Sequence, residues 1–275
     1  QIHIFNKNDF SYLTSIGNFG EGPEEITVMG CLAIDEAHHQ LYVSDHAKQK
    51  IFSYDMDSVM VDSLYKPQVK TAMNETLFPS EYQYINDTLS IAVLIKPTST
   101  STFNQFLGRW NMNTGEMIPM KYTHPDIQKK RITFAASEKA GIYVECYTRH
   151  DLMTICSLDG ELLYNIYGPD WDGGNGNKLQ SFGTVMIGND KIFVSYCGED
   201  YARDSFPTKI LVFDLEGNYL KTLETGYKIS DCCYDSFNNR IILSLNDVVQ
   251  FAYLDIDGII SVSYTHLRAH ETPEH

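Results

Sequence analysis

Four short strand-like runs, repeated at intervals of about fifty residues, constrain this chain more than any other feature. The most complete copy spans residues 16–65. It has a Gly/Pro loop, an apolar run ending at Asp35, the run Leu41-Tyr42-Val43, the run Ile51-Phe52-Ser53-Tyr54, and an expected fourth strand at 63–65. The same order returns at 82–85, 89–95, 106–110 and 116–118, and again at 132–135, 141–144, 153–156 and 161–164. Two further copies follow, at 182–187, 191–194, 210–213 and 219–221, and at 229–234, 240–243, 249–253 and 259–260. The opening runs at 2–6 and 10–13 match the second half of a copy. The turn after the third strand marks the phase, because Asp and Asn support tight reversals. It falls at Asn6, Asp55, Asn111, Ser157, Asp214 and Asp255, at intervals of 49, 56, 46, 57 and 41 residues. Four strands per unit at this period predict the blades of a β-propeller, and two unrelated sandwiches would not keep six positions in phase.

Particular residues sharpen this expectation. The run 210–220, ILVFDLEGNYL, resembles the closing half of an NHL repeat. Leu32-Ala33-Ile34-Asp35 followed by Leu41-Tyr42-Val43-Ser44-Asp45 resembles its opening half. Gly20-Glu21-Gly22-Pro23-Glu24-Glu25 resembles the connector of six-bladed, NHL-like (TolB-like) propellers exported by gut bacteria, many of them lipoproteins. The resemblance implies an all-β chain: a six-bladed β-propeller of four-stranded antiparallel blades over residues 1–260, with one blade incomplete. It also implies a periplasmic or cell-surface protein. Unit three departs from the pattern with Glu145 where the first unit has Ser44, and unit two lacks the Asp after its second strand. Residues 261–275 do not continue the repeat and resemble a translated sequencing adaptor, so they are read as a non-native tail. The chain opens on Gln1 without a basic and apolar leader, as a processed chain or a fragment would.

Charge narrows the partners. With 21 Lys and Arg against 36 Asp and Glu, the net charge of −15 disfavours nucleic acid and anionic lipid. No apolar run reaches the ~18 residues of a membrane span, while 43% hydrophobic residues suffice for a sizeable core. The six cysteines lack metal-site spacing and read as small buried residues. Only Cys146 and Cys156, flanking a hairpin turn, are candidates to face each other across strands.

Catalytic motifs are absent from the sequence: there is no nucleophile elbow, phosphate loop, HExxH or dinucleotide fingerprint. His38-His39 and Arg149-His150-Asp151 read as solvated turns. Asp170-Trp171-Asp172-Gly173-Gly174-Asn175-Gly176-Asn177 looks calcium-like but has Ser181 where an EF-hand needs a carboxylate, so it reads as a connector between blades. His266, His270 and His275 lie in the tail and are assigned nothing. No catalytic residue, metal or cofactor is assigned.

The long connections, 17–27, 66–80, 96–104, 168–178 and 197–208, all fall where a blade sends its chain to one face, and binding function concentrates on such loops. Trp171, Tyr201 and Arg203 are the expected ligand-binding residues. The chain is therefore expected to be a non-catalytic, monomeric binding propeller that recognises a protein, peptide or carbohydrate. The alternative is a metal-dependent hydrolase or lyase at the propeller channel, for which Asp231 is the one carboxylate on the inner-strand runs. A structural spacer is a third reading.

Overall fold

The computed structural model describes residues 1–62, 64–175, 179–200 and 205–258, together with the strand backbone at 267–270. The chain divides into two compact units, Gln1–Met120 and Lys121–His275.

The first unit opens with a two-stranded sheet, β1 (Ile2–Phe5) and β2 (Tyr12–Ile16). A four-stranded blade follows: β3 (Met29–Asp35), β4 (Gln40–Asp45), β5 (Lys50–Asp55) and, after the short helix α1 (Met56–Val61), β6 (Gln68–Ala72). The next blade has β7 (Phe78–Asn86), β8 (Leu89–Pro97), β9 (Phe103–Trp110) and β10 (Met117–Pro119).

In the second unit, one blade holds β11 (Ile132–Ser137), β12 (Ile142–Tyr147), β13 (Leu152–Ser157) and β14 (Leu162–Tyr167). The next holds β15 (Leu179–Gly188), β16 (Lys191–Asp200), β17 (Lys209–Asp214) and β18 (Tyr219–Glu224). The last holds β19 (Ile229–Asp235), β20 (Arg240–Leu245), β21 (Phe251–Asp255) and β22 (Leu267–His270). All five four-stranded sheets are antiparallel. This is an all-β propeller.

The second strands read as near-continuous apolar runs because the chain covers both of their faces. On β4, Leu41 and Val43 join a cluster with Phe52, Tyr54 and the hairpin residues Ile2, Ile4 and Ile16. Tyr42, pointing the other way, joins Tyr82, Leu94 and Trp110 of the next blade. On β16, Ile192 and Val194 pack with Val144 and Ile155, whereas Phe193 packs with Ile241 and Leu243. The core thus lies between successive blades, and the pleat sends alternate residues to each side. First strands of successive blades are neighbours: β3 with β7, β11 with β15, and β15 with β19.

Several expectations change. The fourth strand of the first blade is β6 at 68–72, not 63–65. The Asp55 carboxylate accepts from the Ser58 N–H at 2.8 Å and caps α1, so the turn that elsewhere reverses into a strand here starts a helix. At Asp214 the same oxygen chemistry makes the expected reversal, accepting from Glu216 and Asn218 N–H at 2.9 Å each. Gly217 in that turn has φ +84°, and a Cβ there would meet Ile166 Cδ1 at 2.5 Å.

The expected loop at 96–104 is mostly strand, with Lys96 opposite Asn104 and Pro97 opposite Phe103. Residues 197–200 likewise continue β16, where Glu199 faces Gln180. Polar ends of long hairpins hide strand character that backbone pairing alone reveals. Cys146 faces Met153 and Cys156 faces Tyr143, on different rungs of the ladder, and both thiols are free. The fourth strand expected at 259–260 lies outside the described residues. Among the described residues no helix is long and apolar enough to cross a membrane.

Candidate functional site

Three connections leave the same end of the β11–β14 blade: 121–131 into β11, 148–151 between β12 and β13, and the segment that follows β14. Between them lies a cavity of about 680 Å³. Asp126, Gln128, Lys129 and Arg131 line it from the first connection, Thr148, Arg149 and His150 from the second, and Gly173, Gly174 and Asn175 from the third.

Backbone alternation explains the cationic wall. In Lys129-Lys130-Arg131 the outer two side chains are exposed and the middle one is buried. Lys130 Nζ donates to Glu145 Oε1 on β12 at 2.5 Å, and Tyr147 Oη donates to Glu145 Oε2 at 3.1 Å. Glu145 is 1% exposed. The buried pair pins the segment from below and leaves Lys129 and Arg131 on the cavity side. The Thr148 N–H donates to the Arg131 carbonyl at 3.0 Å, tying the first connection to the second. The third connection closes against the first at Gly174, where φ is +88° and a Cβ would lie 2.5 Å from the Asp126 carbonyl oxygen.

Behind the wall is an aromatic cluster. Trp171 lies 5.0 Å from Tyr167, 5.4 Å from His124 and 6.1 Å from His150, centroid to centroid, and His150 lies 6.1 Å from Tyr147. His124 Nε2 and Tyr167 Oη form a 3.0 Å hydrogen bond. His150 is buried, and its Nδ1 has no hydrogen-bond partner; Asp172 Oδ1 stands 3.9 Å away, beyond bonding distance. Burial pushes the pKa of His150 and His124 down.

Asp151, 2% exposed, accepts from the Asp170 N–H at 3.0 Å, and burial pushes its carboxyl pKa up. The expected solvated turn at 149–151 is thus wrong for His150 and Asp151, which pack inward beneath the third connection; Arg149 remains exposed. His38 and His39 are exposed as expected, with His38 Nδ1 hydrogen-bonded to buried Asp35 at 2.8 Å.

The expected binding residues separate. Trp171 supports the cavity from behind and is not among its lining residues. Tyr201 and Arg203 lie outside the described residues, as do Gly176 and Asn177 of the calcium-like loop. Within the described part of that loop, the Asp172 carboxylate accepts from the Gly174 N–H at 3.2 Å, a connector's internal bond. Phe206, in the same expected loop as Tyr201, lines two smaller cavities of about 490 and 550 Å³, the former beside Lys209 and Lys228. Asp231 Oδ1 accepts from Thr184 Oγ1 at 2.7 Å. Among the described residues no group of three or more His, Cys, Asp or Glu could hold a metal ion.

The sequence reading missed Lys129, Arg131, Arg149 and the Lys130–Glu145 pair. Two signals for them were present. Lys129-Lys130-Arg131 is the only place where basic residues adjoin in this acidic chain, and Glu145 breaks an apolar strand where the first unit has Ser44.

Residues 1–107 match the family described as DUF5128, 6-bladed beta-propeller. No curated protein matches the chain. Among solved structures, a member of the duf4221 family from Bacteroides vulgatus aligns with TM-score 0.63 at 9% identity, over 98% of this chain and 86% of that one. A protein of unknown function from Bacteroides caccae aligns with TM-score 0.53 at 12% identity, over 97% and 89%. The extracellular domain of a putative one component system from B. thetaiotaomicron aligns with TM-score 0.51 at 13% identity, over 81% of this chain but 27% of that one. At these identities the likeness is one of fold.

Proposed function

We propose that this chain is a non-catalytic binding propeller that recognises a protein, peptide or carbohydrate through the connections at one end of its second unit. The carrying observation is the 680 Å³ cavity at that end of the β11–β14 blade. Its volume falls in the ~300–1,000 Å³ range of small-ligand sites, and hydrogen bonds hold its walls together. Tyr201 and Arg203 are proposed as further ligand-binding residues, and Trp171 is proposed to keep His150 and the third connection in place. The metal-dependent hydrolase reading has no donor set among the described residues to build on.

A location outside the cytoplasm, proposed from the NHL-like connector, agrees with the fold likeness to an extracellular Bacteroides domain. Residues 261–275 are still proposed as a non-native tail. The pairing of β22 with β21 does not argue against this, because an open strand edge accepts any extended backbone.

Probing the immobilised protein on glycan and peptide arrays tests the binding reading. Signal that Arg149→Ala abolishes, with far-ultraviolet circular dichroism unchanged, supports it. Signal that Arg149→Ala leaves intact excludes this cavity.

A further inference from the structure

We propose that the cavity takes a small polyhydroxylated acid: a sugar acid, or a sulfate or phosphate ester of a sugar. This rests on the reading of the second unit's connections as a binding face and names the ligand class.

The first argument is charge. Lys129, Arg131 and Arg149 face one space in which Asp126 is the only lining carboxylate among the described residues, in a chain whose net charge is −15. Such a local reversal of sign attracts an anion that the rest of the surface repels. Guanidinium groups suit carboxylate, sulfate and phosphate because their N–H groups match paired oxygens.

The second argument is the remainder of the lining. Gln128, Thr148 and Asn175 offer amide and hydroxyl groups, and Gly173-Gly174 brings backbone without side-chain bulk. Among the described residues the His150 imidazole is the only ring lining the space and no large aliphatic side chain does so, which suits hydroxyl groups and leaves an apolar ligand few contacts. The volume accommodates one or two sugar units rather than a folded partner.

The third argument is that the cationic wall is built in. Burying Lys130 against Glu145 costs desolvation and binds nothing itself, yet it fixes the register that turns Lys129 and Arg131 to the cavity. A solvated basic run would need no buried carboxylate beneath it.

Isothermal titration calorimetry on the full chain tests this, with galacturonic acid, galactose 6-sulfate, galactose 6-phosphate, galactose and triglutamate as probes. At least one acidic sugar is expected to bind tenfold or more tighter than galactose. Raising NaCl from 50 to 300 mM should weaken it about fivefold, because screening acts on exposed charges. Lys129→Gln should weaken it about threefold, and Arg131→Gln with Arg149→Gln at least tenfold, while Lys50→Gln in the first unit leaves it unchanged. Ranking of the three acidic sugars separates carboxylate, sulfate and phosphate. Equal binding of galactose overturns the acid while the binding reading stands, and so does tighter binding of triglutamate, which would point to an acidic peptide. If none of these probes binds, the ligand class falls; if the glycan and peptide arrays are also blank, the binding reading falls with it.

Discussion

At the scale of single residues, buried carboxylates act as anchors for backbone. Asp45, fully buried at the end of β4, accepts from the N–H groups of Thr27 at 2.7 Å, Val28 at 3.2 Å, Ala47 at 3.0 Å and Lys48 at 3.2 Å. Burial alone would raise its pKa, but these amides outweigh burial and hold it below the usual carboxylate value. Asp45→Ala leaves those amides without their acceptor and is expected to cost about 3 kcal/mol, with Asp45→Asn costing less; urea unfolding reads both.

Histidines carry the opposite dependence on proton uptake. His46, His124 and His150 all have pKa values lowered by burial from 6.5, so the unfolded chain takes up protons first as pH falls. Their contribution to stability is present above pH 6.5 and is lost as pH falls from there through their folded values. Unfolding free energy measured from pH 7.5 to 5 should therefore decline, and His150→Gln should flatten the slope. Asp151, whose pKa is raised, works against this: its contribution is present below pH 3.8 and lost as pH rises through its folded value. An unchanged slope in His150→Gln would mean that the imidazole is equally solvated in both states.

At the scale of elements, the middle strands were legible because two-sided burial writes itself as continuous apolar runs such as Ile142-Tyr143-Val144 and Ile192-Phe193-Val194. Tight turns were legible where Asp or Asn bonds its own loop, as at Asp214. Asp55 shows the limit, since the same side-chain acceptor serves a β-turn and a helix cap, and only the following residues divert the chain into α1. The cavity was harder to read because its walls come from three connections up to fifty residues apart, and because its fixing pair joins Lys130 on a loop to Glu145 on a strand. Trp171 drew attention through its residue type, although its place is behind the wall.

The pair itself can be tested. Glu145→Gln leaves Lys130 buried without a counter-charge and should cost about 3–5 kcal/mol, whereas replacing both by Met should be close to neutral. Chemical denaturation compares the two. If the double variant keeps stability but loses acidic-sugar affinity, the pair serves register rather than stability. If it keeps both, the wall does not depend on the pair.

At the scale of the whole molecule, the two kinds of electrostatics on this chain predict salt effects of opposite sign. A net charge of −15 repels itself across the surface, and this repulsion is screened as the Debye length falls from ~30 Å at 0.01 M to ~10 Å at 0.1 M salt. The melting temperature should therefore rise by about 2–4 °C between 10 and 300 mM NaCl, the shift that ~1 kcal/mol produces in a chain of roughly this size. Ion pairs push the other way. Exposed pairs such as Lys66–Glu24 at 2.8 Å contribute little, while Lys130–Glu145 and Arg240–Asp235 are buried and barely screened. Net repulsion should win, and scanning calorimetry at two salt concentrations decides it. The cationic cavity reverses the sign locally, because an acidic ligand is held by attraction that the same salt weakens. A protein that becomes more stable with salt while releasing its acidic ligand would carry its excess negative charge across the general surface and its positive charge in the cavity. A melting temperature that falls with salt would instead mean that attractive pairs dominate everywhere, leaving the cavity no special electrostatic character.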